Sequence, residues 1–303
     1  LFANVCEAQY IERGKIGDIK SWETDEYKAY WGLSSMNASV AYAKGATGRD
    51  VKLGVVDSGM LLSHQEFAGG RVTGTTAKGE YSKDGMRYPD AEFGNAPFKG
   101  SDEKDKTDKG EFKKGQKFEA NGDWIAGTND SHGTHVGGTI GANRDGRGTH
   151  GVAWESRLYS GNTGGNDGMT YGPNQDYGYF YAVYNELAKS GVRAINNSWG
   201  SNRRVNSSYP GAEGYGGTPG TAANPTEPKH HLYLRDLNAA KKAYYQFVAG
   251  GQKSFIDAAY EVAKKYRIIQ VFTAGNRDGM EESYTRAMLP YFRPDAEKLW
   301  LNV

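Results

Sequence analysis

The chain has 303 residues, 37 basic and 36 acidic side chains and a formal net charge of +1. That length can bury a substantial core, as one large domain or two smaller ones, and so even a charge balance gives no general attraction to nucleic acid or an anionic membrane. A single cysteine, Cys6, excludes an intrachain disulfide, and no stretch approaches the roughly 18 apolar residues of a membrane helix.

The chain begins at Leu1 without a complete signal peptide, which reads as a processed or trimmed piece. Residues 1–30 are polar, lack a clear period and read as an arm. A short helix is expected over 38–44, ending at Gly45. The run "VKLGVVDSGM" (51–60) is apolar and closes on Asp-Ser-Gly, the pattern of a buried parallel strand with Asp57 at its carboxyl end. Residues 74–123 are rich in Lys, Asp and Gly and read as a surface insertion without a core face. "THGVAWESRLYSG" (149–161) predicts a second core strand. Phe180, Val183, Tyr184 and Leu187 fall at i, i+3, i+4 and i+7, so 178–190 is an amphipathic helix. "VRAINNSW" (192–199) is a third strand. Residues 201–230 are again rich in Gly, Pro, Ser and Asn, a charged helical segment is expected at 232–245, and roughly 201–250 reads as a second insertion. Phe255, Ala259, Val262 and Tyr266 mark another helix, and "RIIQVFTAGN" (267–276) a fourth strand. Strand and helix alternate, which points to an α/β fold with a parallel sheet.

In such sheets function gathers at the carboxyl ends of the strands. Asp57 stands there beside four apolar residues, either as a turn-forming Asx or as a buried carboxylate that orients a histidine. "NDSHGTHVGGTI" (129–140) sets His132 and His135 three apart among glycines. A metal pair would prefer the H-E-x-x-H pattern, and no third ligand is evident. The remaining readings are structural histidines or a catalytic base. Position favours His132, at the helix start, as the active one, with His135 pointing into the protein. "VFTAGN" closes on Asn276, a plain turn or an amide presented to an anion.

The order and content of these motifs resemble the subtilisin-like serine proteases. "VVDSGMLLSHQEF", with His64 and Phe67, looks like that family's aspartate motif, and "HGTHVGGTIGA" like its histidine motif. "GVAWESRLY" resembles the strand that follows. "INNSWG" and "TAGN" resemble the two segments lining the specificity pocket. The resemblance covers about 31–73, 124–200 and 254–303. The long insertions and "NNSWG" are most similar to the subtilase passenger domains of Gram-negative autotransporters.

The resemblance implies a three-layer subtilisin-like fold, with a central mostly parallel sheet flanked by helices and two surface insertions. It implies a secreted or bacterial cell-surface serine endopeptidase acting on protein and peptide substrates. His132 is then the base, Asp57 its orienting carboxylate and Asn276 the oxyanion donor, while Ser198, Trp199, Gly200, Thr273, Ala274 and Gly275 line the substrate pocket. No cofactor is required; structural calcium is common in the family, but the sequence places no ligands for it. The family's nucleophile lies in a Gly-Thr-Ser motif after the oxyanion Asn. Ser283 lacks the preceding glycine, and "GTAANP" (220–225) has Ala222 in place of a serine and precedes Asn276. The nucleophile is therefore expected on a companion segment after Val303, since "LWLNV" reads as the start of a further core segment. A catalytically inactive adhesion or binding domain on the same fold, and a metal-dependent hydrolase using both histidines, are the competing functions.

Overall fold

The computed structural model describes residues 14–86, 111–124, 131–164, 176–199, 255–273 and 289–303. In chain order the strands are β1 (Lys52–Asp57), β2 (Val72–Gly74), β3 (Thr76–Glu80), β4 (Gly85–Met86), β5 (Glu111–Phe112), β6 (Lys117–Asn121), β7 (Arg157–Asn162), β8 (Ala194–Asn197), β9 (Ile269–Phe272) and β10 (Trp300–Asn302). Six of them form one sheet in the order β10-β9-β8-β1-β7-β2, parallel at every pairing. The principal helices are α1 (Asp25–Lys28), α2 (Trp31–Ser35), α3 (Ala38–Ala43), α4 (His132–Gly141), α5 (Tyr177–Lys189) and α6 (Phe255–Tyr266).

The apolar run expected at 51–60 becomes β1, in the middle of the sheet, because only a strand covered on both faces can bury consecutive apolar residues. Val55 packs on one face with Met60, Phe67 and Leu158, and with Val136 and Ile140 of α4. Val56 points to the other face and joins the larger core with Val183 and Leu187 of α5 and Val262 of α6. Helix, sheet and helix thus make three layers. Each fully buried side chain of this size contributes roughly 1.5–3 kcal/mol. The expected stripe on α5 is the buried one, since Phe180, Val183, Tyr184 and Leu187 are all sealed from solvent. Asp176 caps that helix through a hydrogen bond accepted from Tyr179 N.

Three expectations are corrected. The stretch 1–30 is not an arm throughout. From Gly14 it turns back onto the body, and Trp22 and Tyr27 enter a small core with Leu33, Tyr42 and Trp154. Thr24 accepts from Tyr27 N to start α1, and the Tyr27 hydroxyl donates to Leu33 O at 2.9 Å. Second, the strand read over 149–161 starts only at Arg157. Residues 152–155 make turns that carry Trp154 into the same small core. Third, the ends of the 74–123 insertion do supply a core face. β3 and β6 pair antiparallel, and every second residue of β6, Phe118 and Ala120, is buried. Tyr81 stacks on Phe112 at 3.9 Å between ring centres, and Phe118 meets Tyr179 of α5 at 4.9 Å. Asp176 also accepts from Ser82 N and Lys83 N, tying this hairpin to the start of α5.

Deleting 78–118, a change harmless for a solvated loop, should therefore prevent recovery of folded protein. It removes the Tyr81, Phe112 and Phe118 rings from the face of α5, and losses of about 3–5 kcal/mol per large aromatic exceed the margin of a typical domain. Normal yield and an unchanged thermal midpoint for the deletion would refute the packing role. The second insertion, 201–250, and the charged helical segment at 232–245 lie outside the described residues. The reading of "LWLNV" as core holds in part, because Trp300 is buried and stacks on Phe272 at 4.7 Å while β10 pairs with β9.

Candidate active site

Chain order and sheet order disagree at β1. The chain places β2 and β7 on one side of it, then crosses to place β8 and β9 on the other. At such a switch point the carboxyl ends of neighbouring strands part and leave a crevice. Asp57 is the last residue of β1 and is 1% exposed. Its Oδ1 accepts from Ser58 N at 2.8 Å and lies 2.7 Å from His132 Nδ1. A carboxylate can only accept, so the Nδ1 proton sits between the two groups and Nε2 is left as the basic nitrogen. Among the described residues Asp57 Oδ2 meets no donor. The His132 side chain is 35% exposed, so the ring reaches solvent while its partner is sealed.

The glycines of "HGTHVGG" explain how a helix start comes so close to a strand end. A Cβ on Gly133 would lie 2.3 Å from the carbonyl oxygen of Gly59, and one on Gly137 2.1 Å from Met60 Cε. Gly133 N donates to Ser58 Oγ at 2.9 Å, and Thr134 Oγ1 accepts from Leu61 N at 2.9 Å. Both bonds clamp α4 to the turn after β1. Of the other motif residues, Phe67 is buried beside Met60, and His64 caps a short 3-10 turn by accepting from Glu66 N.

His135 corrects a sequence expectation, being exposed rather than inward. Gly133, Gly137 and Gly141 form the buried face of α4, and three residues fall just short of a full helical turn. His135 therefore shares the outer flank with His132. His135→Ala should leave stability within about 0.5 kcal/mol of wild type, as for other exposed positions. Thermal denaturation checks this; a large loss would show that His135 makes a contact that stabilises the fold.

The expected pocket residues divide. Ser198 and Thr273 follow β8 and β9, are both partly exposed, and stand at the same end of the sheet as Asp57; Thr273 N donates to Asn197 O at 3.3 Å. The Trp199 side chain, expected to line the pocket, is buried in the core. It is 3% exposed and packs inward against Phe180 and Phe255. Gly200, Ala274, Gly275 and Asn276 lie outside the described residues, as do Ala222 and Ser283. Sequence reasoning missed Asn197, which locks the ends of β8 and β9 together. It is fully buried, its Oδ1 accepts from the Tyr184 hydroxyl and its Nδ2 donates to Gln270 Oε1. Consecutive asparagines in "INNSWG" were the available signal. Among the described residues no group of three or more His, Cys, Asp or Glu side chains is placed to hold a metal ion.

A three-layer α/β fold with a sealed aspartate at a strand end, bonded to a histidine at the next helix start, defines a protein built around an Asp–His pair. The chain belongs to the Subtilase family, whose profile matches residues 48–298. Two proteins of Serratia marcescens, each named "Extracellular serine protease", are similar to it at 29% and 30% identity over 298 residues, covering 98% of this chain. The chain spans only 24% of their length. Among solved structures, fervidolysin from Fervidobacterium pennivorans, a keratinolytic enzyme related to subtilisin, aligns over 86% of this chain and 27% of its own, at 19% identity and a TM-score of 0.36. The MycP3 protease of the type VII (ESX-3) secretion system aligns over 84% of this chain and 48% of its own, at 15% identity and a TM-score of 0.42.

Proposed function

We propose that this chain is part of the catalytic domain of a secreted serine endopeptidase. Its Asp57–His132 pair activates a serine that lies outside residues 1–303. The observation that carries the reading is the 2.7 Å contact between the sealed Asp57 carboxylate and His132 Nδ1. Serine is a weak nucleophile at its own pKa and requires an adjacent base. His132 Nε2 takes the serine proton as the hydroxyl attacks the scissile carbonyl, and returns it to the leaving amine. Asp57 holds the Nδ1–H tautomer and stabilises the imidazolium that forms between these steps. Asn276 is assigned to the oxyanion, and the segments at 198–200 and 273–275 to the substrate chain. The names of the Serratia relatives support export, and the insertions support a passenger domain displayed at or released from a bacterial surface.

A fluorophosphonate probe on the complete protein tests the reading. One serine beyond residue 303 should be labelled, and His132→Ala should abolish both labelling and peptide hydrolysis. A label within 1–303 would overturn the assignment of the nucleophile. No label at all would leave an inactive binding domain on the same fold.

A further inference from the structure

β8 follows β1 only as far as Asn196, opposite Val55. Beyond that point the two strands part, and the crevice that holds the Asp–His pair opens. Parting strands leave ladder groups without partners, and a buried carbonyl left so costs about 1–3 kcal/mol. The carbonyl of Asp57 is taken on the β7 side by Thr163 N at 2.8 Å. The carbonyl before it, that of Val56, is taken by a side chain, since Trp199 Nε1 donates to Val56 O at 2.7 Å.

The indole is held firmly in that position. Its ring centre lies 5.2 Å from Phe255, 5.6 Å from Phe180 and 6.1 Å from Phe272. Phe255 and Phe180 belong to the helix layer, and Phe272 ends β9. One side chain thus bridges the end of β8, the end of β9 and the peptide unit that leads into Asp57. Val56 and Asp57 share that peptide, so its orientation sets where the Asp57 side chain starts.

We infer that Trp199 is a positioning residue for the Asp57–His132 pair, acting through its N–H bond to the Val56 carbonyl rather than by lining the substrate pocket. As a statement about turnover this rests on the peptidase reading; as a statement about the pair it does not. Loosening the Val56–Asp57 peptide lengthens the contact between Asp57 and His132. A weaker carboxylate contact stabilises the imidazolium less, so His132 should give up its proton at lower pH.

Trp199→Phe in the complete protein keeps an aromatic ring and removes the donor. Deuterium exchange at the His132 ring carbon, followed by mass spectrometry across pH, gives the midpoint of its titration without any need for activity. The midpoint should fall by about half a pH unit or more. For an active protein, kcat/KM per folded molecule should drop about tenfold, with the acid limb of its pH profile moved the same way. Phe255→Leu serves as the control, because it disturbs the same ring cluster and leaves the N–H bond in place. It should lower the thermal midpoint and leave the His132 titration where it was. If Trp199→Phe does not fold, benzothienylalanine at 199 replaces the N–H by sulfur within nearly the same shape. An unmoved His132 midpoint in the donor-less variant, or an equal movement in Phe255→Leu, would overturn the inference and reduce Trp199 to core packing. A wild-type protein without turnover would refute the peptidase reading alone, and the exchange midpoints would still decide the role of Trp199.

Discussion

Asp57→Asn in the complete protein should lower kcat by roughly 10⁴ with little change in KM, the loss that this substitution causes in a chymotrypsin-type triad. The geometry gives the reason. Asp57 Oδ1 already accepts from Ser58 N at 2.8 Å and faces His132 Nδ1 at 2.7 Å. Because one oxygen serves both partners, an amide that keeps its oxygen there removes the charge that stabilises the imidazolium, whereas one that turns its NH₂ group to His132 gives up the Ser58 N bond and drives the imidazole to place its proton on Nε2. That nitrogen can then no longer accept from a serine. The packing is spared, because Asn has the same shape and the site is closed by the turn after β1 and by α4. The measurement is steady-state hydrolysis of a short peptide alongside a thermal melt. A loss below about tenfold in a well-folded variant would mean that Asp57 does not orient the base.

Legibility in the sequence followed the range of the interactions. Asp57 and His132 were readable because each sits in a short motif whose neighbours are needed for the same contact. Ser58 supplies its N–H to the carboxylate and its Oγ to Gly133 N, and Gly133 lets α4 approach the turn. β1, α5 and α6 were readable because a buried strand and two amphipathic helices carry their periods within themselves. His135 was misplaced although the helix was expected, because a position one turn beyond His132 lies on the same flank as His132, while the glycines claim the inner face. Trp199 was misplaced because nothing local decides whether a side chain past a strand end turns to the crevice or to the core; the rings of Phe180, Phe255 and Phe272 decide it, and they come from three distant segments. The hairpin of the first insertion had its signal in "KFEAN", a five-residue alternation diluted by the charged stretch before it.

The stability of the N-terminal portion should fall as pH drops from about 6.5 towards about 4, by roughly 3 kcal/mol in all, because of one buried histidine. His150 is 1% exposed and sits among Tyr27, Tyr42 and Trp154, which join residues 20–43 to the turn before β7. Its Nδ1 donates to Gly151 O at 2.8 Å, and its Nε2 is buried without a partner among the described residues. Burial opposes the charged ring and brings its pKa down to about 4, against the pull of the Gly151 carbonyl, while the Arg144 charge pushes the same way as burial. In the unfolded chain the same ring takes up a proton below about 6.5. Between these values the unfolded state binds a proton that the folded state refuses, so acid favours unfolding, and the contribution is intact above the unfolded value. Glu26, on α1, works in the opposite sense. Burial raises its pKa although Asp145 N and Gly146 N donate to it, so its protonation favours the folded form as pH falls. The raw pH profile mixes the two effects, and His150→Phe separates them by removing only the imidazole. Backbone hydrogen exchange of peptides from 22–43, compared at about pH 5 and about pH 8 after correction for intrinsic rates, reads the local opening free energy. The wild type should lose protection on acidification and His150→Phe should lose much less. Equal losses in the two proteins would show that the imidazole is not the group that acid reaches.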